Sequence, residues 1–403
     1  MKVVANLSSI RLARSRGDVA FAEQLRVDLA VRHRSVELTG FTTGGAIECP
    51  QSATVAVVPQ QDTDDHGIFL IWMDAVLSAG AAPALIVPEG IDLPVRIHAE
   101  AAGIVFRNST SYDQLFENLF RMLAGPFPSW LDVRVRPSLI QNPTGVAWWS
   151  DDLHVADDRF EHAVRISPND STVVVPGLDN PHHISLDQRH LAIANMSAGE
   201  VLECDIVDNM ATNFQTIRSA DGLDLVRPHD VRLTAHLSVI ADTGNSRVLF
   251  RPRGEDWRAV ELERPLAYPG AVCLDDTGFW IADTGNHRVV KCDSGGRQLL
   301  SYGGRGDGAA EFDLPVGICR WRDFLFVADE GAERIKVLQV SDAQGSGRTE
   351  LTPLVQHLAG DFIGQPLGLA VSRNNRLAVS DRKLKCVWLV DLVRLTQQDA
   401  AFS

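Results

Sequence analysis

Beyond about residue 130 the apolar residues fall in runs too short for helices, with turn residues between them. The stretch after Pro269 shows the pattern. Gly270–Leu274 is a first apolar run, Phe279–Ala282 a second, Arg288–Cys292 a third and Gln298–Tyr302 a fourth. Asp275–Gly278, Asp283–Asn286 and the pair Gly295, Gly296 carry the turn chemistry between them. Four short strands joined by turns predict one antiparallel sheet. The stretch recurs, led by prolines at 143, 181, 228, 269, 315 and 366, at intervals of 38, 47, 41, 46 and 51 residues. After each proline come a small or polar pair, an apolar run and an Ala-Asp-like dipeptide. The second residue of that dipeptide follows 14 positions after the proline in five copies, at Asp157, Asn195, Asp242, Asp283 and Asp329, and 15 after it in the sixth, at Asp381. Three copies place an arginine five residues further on, at Arg247, Arg288 and Arg334. No 3.6-residue periodicity runs through this region, which excludes a helical solenoid. Six such sheets predict a six-bladed β-propeller. The last copy supplies strands only around Gly368–Val371, Arg376–Ser380 and Cys386–Asp391. The segment LDVRVRPSL at 131–139 reads like the last strand of the other copies, such as STVVVPGL at 171–178. It is expected to complete the sixth blade and close the ring, hiding its open edges.

The first 125 residues follow another pattern. Apolar runs at Val3–Leu7, Val36–Thr39, Ala53–Val58, Ala84–Val87 and Ile104–Arg107 predict strands. Between them, Val19–Val31 places Phe21, Leu25 and Leu29 on one helical face, Ile68–Ala79 reads as a helix, and Tyr112–Leu123 groups Leu115, Leu119 and Met122. Strands alternating with helices predict an α/β domain with a doubly wound parallel sheet, of flavodoxin-like kind. AGPFPSW at 124–130 has linker composition. The expected organisation is an α/β domain at 1–125, a linker at 126–130 and a propeller at 131–403.

The formal net charge is −14, which disfavours nucleic acid and anionic membrane as general partners. The chain has no long apolar leader and no spanning run, so a cytoplasmic location is expected. None of the six cysteines lies in a C-x-x-C pair. Cys273 and Cys319 stand four past their prolines, where the other copies have Ala147, Ser185, Arg232 and Ala370. They read as small strand residues rather than ligands or disulfides.

The segments IADTGNSRV at 240–248, IADTGNHRV at 281–289 and VADEGAERI at 327–335 resemble the blades of the NHL-repeat family. That resemblance implies a propeller of recognition type: the family includes protein-binding and RNA-binding modules, and the lyase half of a copper-and-zinc peptide-amidating enzyme. The N-terminal segments GDVAFAEQLRVDLA, ATVAVVPQ, IWMDAVLSAGAAPALIVPEG and IVFRNSTSYDQLFENLFRML resemble bacterial TIR domains. Enzymatic members carry a glutamate a few residues past a tryptophan. Here Trp72 is followed by Met73, Asp74, Ala75 and Val76, so Asp74 is the only nearby carboxylate. The resemblance therefore implies an associating adaptor domain, with NAD hydrolysis through Asp74 as the alternative.

In a propeller the innermost strands line a central channel. The residues just after each proline are Thr144 and Gly145, His182 and His183, His229 and Asp230, Gly270 and Ala271, Val316 and Gly317, Leu367 and Gly368. One side of that mouth is polar and the other small and apolar, the makings of a ligand site. The candidate ligand-binding residues are Thr144, His182, His229, Asp230 and Arg232. The amidating lyase has histidines at this position, so the resemblance makes His182 and His229 the candidate ligands of zinc or another divalent metal, with His183 or Asp230 as third. Alternation along a strand points His183 away from His182, and no cofactor is predicted. The repeated Asp–Arg pairs are expected to brace turns, since a catalytic group needs to occur once. GGRGDG at 303–308 leads into a strand and is expected to be an interblade loop rather than a phosphate loop. Asp62, Asp64 and Asp65 lack a calcium-loop frame. The reading that follows is a signalling or scaffold protein without catalysis. Its propeller binds a protein or small ligand, and its N-terminal domain self-associates. The alternative is a propeller-channel lyase or hydrolase using His182, His229 and Asp230, with Arg232 holding an anionic group.

Overall fold

The computed structural model describes strands at 10–14, 36–40, 54–57, 84–87, 103–106 and 131–134 and helical residues 69–70, 73 and 76–78. From Leu139 onward it describes all residues except 168–170, 209, 344–347, 356–357, 359–362, 384 and 399–403. The chain divides into two compact units, Met1–Pro128 and Ser129–Ser403.

The strands of the first unit form one parallel sheet in the order 36–40, 10–14, 54–57, 84–87, 103–106. Its first strand is Ile10–Arg14. The expected strand at 3–7, the helices at 19–31 and 112–123, and Asp62, Asp64, Asp65 and Asp74 all lie outside the described residues. Of the described helical residues within the expected helix at 68–79, Phe69, Met73, Val76 and Leu77 are buried, with Met73 four past Phe69 and Val76 and Leu77 three and four past Met73.

The second unit is a six-bladed β-propeller. The six inner strands are Pro143–Trp149, Pro181–Asp187, Pro228–Leu233, Pro269–Asp275, Pro315–Trp321 and Pro366–Val371, and they pack against one another in cyclic order. Each leads an antiparallel sheet of four strands. In the fourth blade the others are Gly278–Asp283, Arg288–Asp293 and Gln298–Gly303, within a residue or so of the runs read from the sequence. The sixth blade takes its outer strand from Leu131–Arg134, which pairs antiparallel with Cys386–Asp391. The ring is thus sealed by hydrogen bonds, without a covalent closure. Across the seam, Trp148 Nε1 donates to Ala370 O at 3.1 Å and Ser380 Oγ to Thr144 O at 2.5 Å. Apolar clusters fill the wedges between successive blades, as where Phe250 of the third meets Phe279 of the fourth. A seven-residue helix, Leu392–Gln398, follows the last strand and was not expected. No helix among the described residues is long and apolar enough to cross a membrane.

The repeated aspartates explain the constant spacing. Asp283 is fully buried at the end of its strand; its Oδ1 accepts the backbone N–H of Ala267 at 2.8 Å, just before the blade's proline. Its Oδ2 accepts Nε of Arg288 at 2.6 Å and Nδ2 of Asn286 at 2.8 Å. Arg288 Nη2 then donates to Arg264 O at 2.7 Å. One carboxylate so ties the second strand to the chain entering the inner strand, and the arginine pins the incoming loop. Asp242 with Arg247 and Asp329 with Arg334 repeat this. The second blade has a neutral asparagine at the cap and a glutamate where the others have arginine. Asn195 accepts from Asp179 N at 2.7 Å and donates to Glu200, which pairs with Arg218 at 2.5 Å. In and just after the GGRGDG loop, the carbonyls of Gly306, Asp307, Gly308, Ala309 and Glu311 point at Arg334 and Lys336. Inward-facing carbonyls are the reverse of a phosphate cradle, which needs N–H groups facing out.

Every inner strand carries a β-bulge directly after its proline, between Pro181 and Ile184 in the second blade and at equivalent places in the other five. The bulge breaks the strict alternation of side chains, and it decides the geometry of the mouth.

Candidate functional site

At the proline end of the channel lies a chamber of about 280 Å³. His182 and His183 from the second blade and His229 from the third line it, over an apolar floor that includes Val316 and Leu367. The rings of His182 and His229 stack with centroids 4.1 Å apart and planes 26° apart. His183 stands at 5.9 Å from His182 in a tilted arrangement. Alternation placed His183 on the far side of the strand. The bulge between Pro181 and Ile184 turns it into the same chamber.

Sequence reasoning missed the rim. Asp158, Met196, Glu330 and Arg382 each stand one residue past the capping Asp or Asn of their blade, and Asn180 and Arg227 each directly precede a proline. The repeat frame itself was the available signal, because those two positions flank the inner strand's entry in every copy. The same frame position in the third and fourth blades holds Thr243 and Thr284. Their hydroxyls donate instead to Pro269 O at 2.5 Å and Pro315 O at 2.6 Å of the next blade. Arg382 bridges the rim, with Nη2 at 3.8 Å from Asp158 Oδ2 and Nη1 at 3.7 Å from Glu330 Oε1. Gln365 Nε2 also donates to Glu330 Oε1 at 3.0 Å, and Asn142 Nδ2 to Asp158 Oδ1 at 2.5 Å.

Electrostatics make this a chamber of neutral imidazoles. Burial, reinforced by His229, His183 and the guanidiniums of Arg382 and Arg227, holds His182 well below the ordinary histidine range. Burial and then Arg232 do the same for His183. Burial brings His229 down to about 4, with Arg227 and Arg382 adding to it. Burial raises the carboxyls of Asp158 and Glu330, and Arg382 opposes the rise at both. His182 Nδ1 is buried without a hydrogen-bond partner among the described residues.

Three of the residues grouped with the histidines from sequence fall elsewhere. Thr144 is fully buried, its Oγ1 at 3.1, 2.9 and 3.0 Å from the carbonyl oxygens of Ala156, Pro181 and His182. It joins the first blade to the second and does not line the chamber. Asp230 is also fully buried. It accepts N–H of Val231 and of Val272 in the next blade, each at 2.8 Å, and pairs with Arg232 Nη1 at 2.9 Å. Burial pushes its carboxyl up to about 6, and Arg232 and those two N–H groups work against that. Its nearest link to the chamber is His183 Nδ1, 4.0 Å away. Arg232 lines a second chamber at the opposite end of the channel.

The histidines are neutral, as metal ligands must be. Stacked rings, however, do not aim their nitrogens at a common point. Among the described residues no group of three or more His, Cys, Asp or Glu side chains is placed to hold one metal ion. Residues that fit zinc by type, His182 and His229, therefore do not fit it by geometry, and no chemistry is routed through a metal here.

No known family matches the chain, and no curated protein does. Among solved structures it is similar to a structural genomics protein of unknown function from Bacteroides thetaiotaomicron, at 13% identity and TM-score 0.49 over 64% of this chain and 72% of that chain. It is similar to a streptogramin B lyase at 11% identity and TM-score 0.46, covering 66% of this chain and 100% of that chain. A chain of a nidogen/laminin complex matches at 14% identity and TM-score 0.44, over 57% and 85% of the two chains. At these identities the likeness is one of propeller fold alone.

Proposed function

We propose that the propeller is a recognition ring of NHL type that seats a polar ligand without net charge in the histidine chamber. The ligand is a small molecule or a segment of a partner protein. The observation carrying this reading is the charge balance of the chamber. Arg227 and Arg382 are offset by Asp158 and Glu330, and the three imidazoles are neutral. Such a wall offers many donors and acceptors and no uncompensated charge, so it favours amide or hydroxyl groups over ions. The first unit, on this reading, is a TIR-like domain at 1–125 that associates with another copy or a partner, and the protein acts in the cytoplasm as a scaffold.

A lyase or hydrolase in the same chamber is the second reading. It is favoured by the close contact of His182 and His229, two neutral imidazoles from adjacent blades. Against it, Asp230 and Arg232 stand outside the chamber. A thermal-shift screen of amides, sugars and short neutral peptides separates the two. Recognition expects ligands that raise the melting temperature of the wild-type protein, lose their effect with His229→Ala and are recovered unchanged. Conversion of a bound compound by wild type and not by His229→Ala would move the reading to catalysis. A zinc-induced shift abolished by His229→Ala would show a metal site and overturn the geometric argument above.

A further inference from the structure

Among the described residues nine large apolar side chains are exposed, and four of them belong to the end of the propeller that holds the histidines. They are Phe160 at 44%, Val226 at 43%, Tyr268 at 63% and Leu314 at 38% exposure. The capping aspartates fix them there. Phe160 N–H donates to Asp157 Oδ1, Val226 N–H to Asp242 Oδ1 and Leu314 N–H to Asp329 Oδ1, each at 2.8 Å. Ala267, next to Tyr268, donates to Asp283 Oδ1 at 2.8 Å. Each of these aspartates is in register with its blade's proline, so the four side chains stand at the proline end of the channel.

They also border the chamber wall along the chain. Phe160 follows Asp158 by two, Val226 precedes Arg227, and Leu314 precedes Val316 by two. Tyr268 directly precedes Pro269, the position that Asn180 and Arg227 hold in the two blades before it, and both of those line the chamber. Asn180, Arg227 and Tyr268 all have left-handed backbone, with φ of 54°, 48° and 47°. That conformation is disfavoured for a bulky side chain, and a residue before proline prefers to be extended. The loops hold it in place: Val226 O accepts Gly244 N–H and Ala267 O accepts Gly285 N–H, each at 2.8 Å. The collar is thus set before any partner arrives, which lowers the cost of binding.

A polar well inside an apolar collar selects its occupant by size. A molecule filling about 280 Å³ satisfies the well and leaves the collar in water. Phe160 is on the first blade and Tyr268 at the entry to the fourth, opposite places in a ring of six. A chain lying from one to the other passes over the histidines. In an extended chain every second side chain points the same way. One residue can therefore reach down into the well while its neighbours two positions away rest on the collar. The well favours an amide for the central side chain. The net charge of −14 repels a second copy or an acidic partner and attracts a neutral or basic one.

The geometry points to a docking face at this mouth for an extended segment of a neutral or basic partner protein, with an Asn or Gln side chain in the histidine chamber and bulky apolar side chains on the collar. It rests on the reading of the chamber given above and narrows its ligand to a polypeptide.

A random peptide library displayed on phage and selected against the full chain tests it. Enrichment of Asn or Gln with bulky apolar residues two positions to either side is expected. A capped synthetic peptide of the enriched sequence is then followed by fluorescence anisotropy. Tyr268→Ala should weaken it about tenfold to a hundredfold, as for an aromatic anchor, His229→Ala should weaken it as well, and Tyr268→Phe should restore binding. Leu314→Ser serves in its place if Tyr268→Ala fails to fold by circular dichroism. The docking face is overturned by no enrichment, by enrichment without an amide, or by folded collar variants that bind as wild type does. Dimerisation in light scattering that Tyr268→Ala abolishes would also overturn it, giving the collar to a second copy. N-acetylglutaminamide separates this failure from that of the chamber reading. If it raises the melting temperature of wild type and not of His229→Ala while no peptide binds, only the docking face falls. If neither probe binds, both fall.

Discussion

His154 is fully buried on the second strand of the first blade, and neither ring nitrogen has a partner among the described residues. Burial lowers it to about 4. A histidine whose folded value lies below the ordinary 6.5 or so binds its proton mainly in the unfolded chain. Its contribution to stability is complete above pH 6.5 or so and is lost as pH falls toward 4, in all about 3 kcal/mol. His182, His183 and His229 are shifted the same way, so the propeller should weaken together with its binding mouth in mild acid. His154→Leu removes two unsatisfied polar atoms and one titrating group. Urea unfolding at pH 7.5 is expected to show a gain of about 1–2 kcal/mol, widening at pH 5. Equal stability at both pH values would mean that His154 is solvated. This residue gave no signal in the sequence, because a histidine among strand residues reads the same whether its nitrogens are bonded or not. The capping aspartates were legible for the opposite reason: Asp157, Asp242, Asp283, Asp329 and Asp381 do one structural job, 14 residues past the proline in the first four and 15 in the last.

A blade is one sheet whose inner end is set by proline, bulge and capped turn, and whose outer end varies. The outer strand is two residues long in the third blade, Arg258–Ala259, and eight in the second, Met210–Ile217. Uneven proline intervals therefore arise outside the inner frame, while the 14-residue distance from proline to cap holds in five copies. That is why strands and blade count could be read from spacing. The bulge could not, since it inserts no residue type of its own; without it, His183 was assigned to the wrong face. The closing strand Leu131–Arg134 gives the element-scale test. A chain beginning at Ser129 retains it, whereas one beginning at Leu139 leaves Cys386–Asp391 as an unpaired edge. The shorter chain is expected to melt at lower temperature and to form oligomers in light-scattering chromatography, and the longer one to melt as a monomeric ring. Matching melts would show that the strand contributes nothing to closure.

In the propeller as a whole, the two mouths are joined through a buried line of groups. His183 faces one chamber, Asp230 sits 4.0 Å from it, and Arg232, paired with Asp230 at 2.9 Å, faces the other. Asp230→Asn leaves the largely buried Arg232 without its carboxylate partner and is expected to lower stability by about 3 kcal/mol in urea unfolding. The loss should fall on the third and fourth blades, where Asp230 accepts two backbone N–H groups. Unchanged stability would mean that Arg232 does not depend on Asp230 for its place. The bulges have a consequence of another kind. Positions 182, 229, 316 and 367 face the histidine chamber from four blades, and each lies at its strand's bulge, ahead of the point where regular pairing resumes. Their side chains can be exchanged without re-registering any sheet, as the pins of a lock are cut without recasting its barrel. A ring of this construction can be retargeted to new ligands by a handful of substitutions while its folding instructions stay untouched.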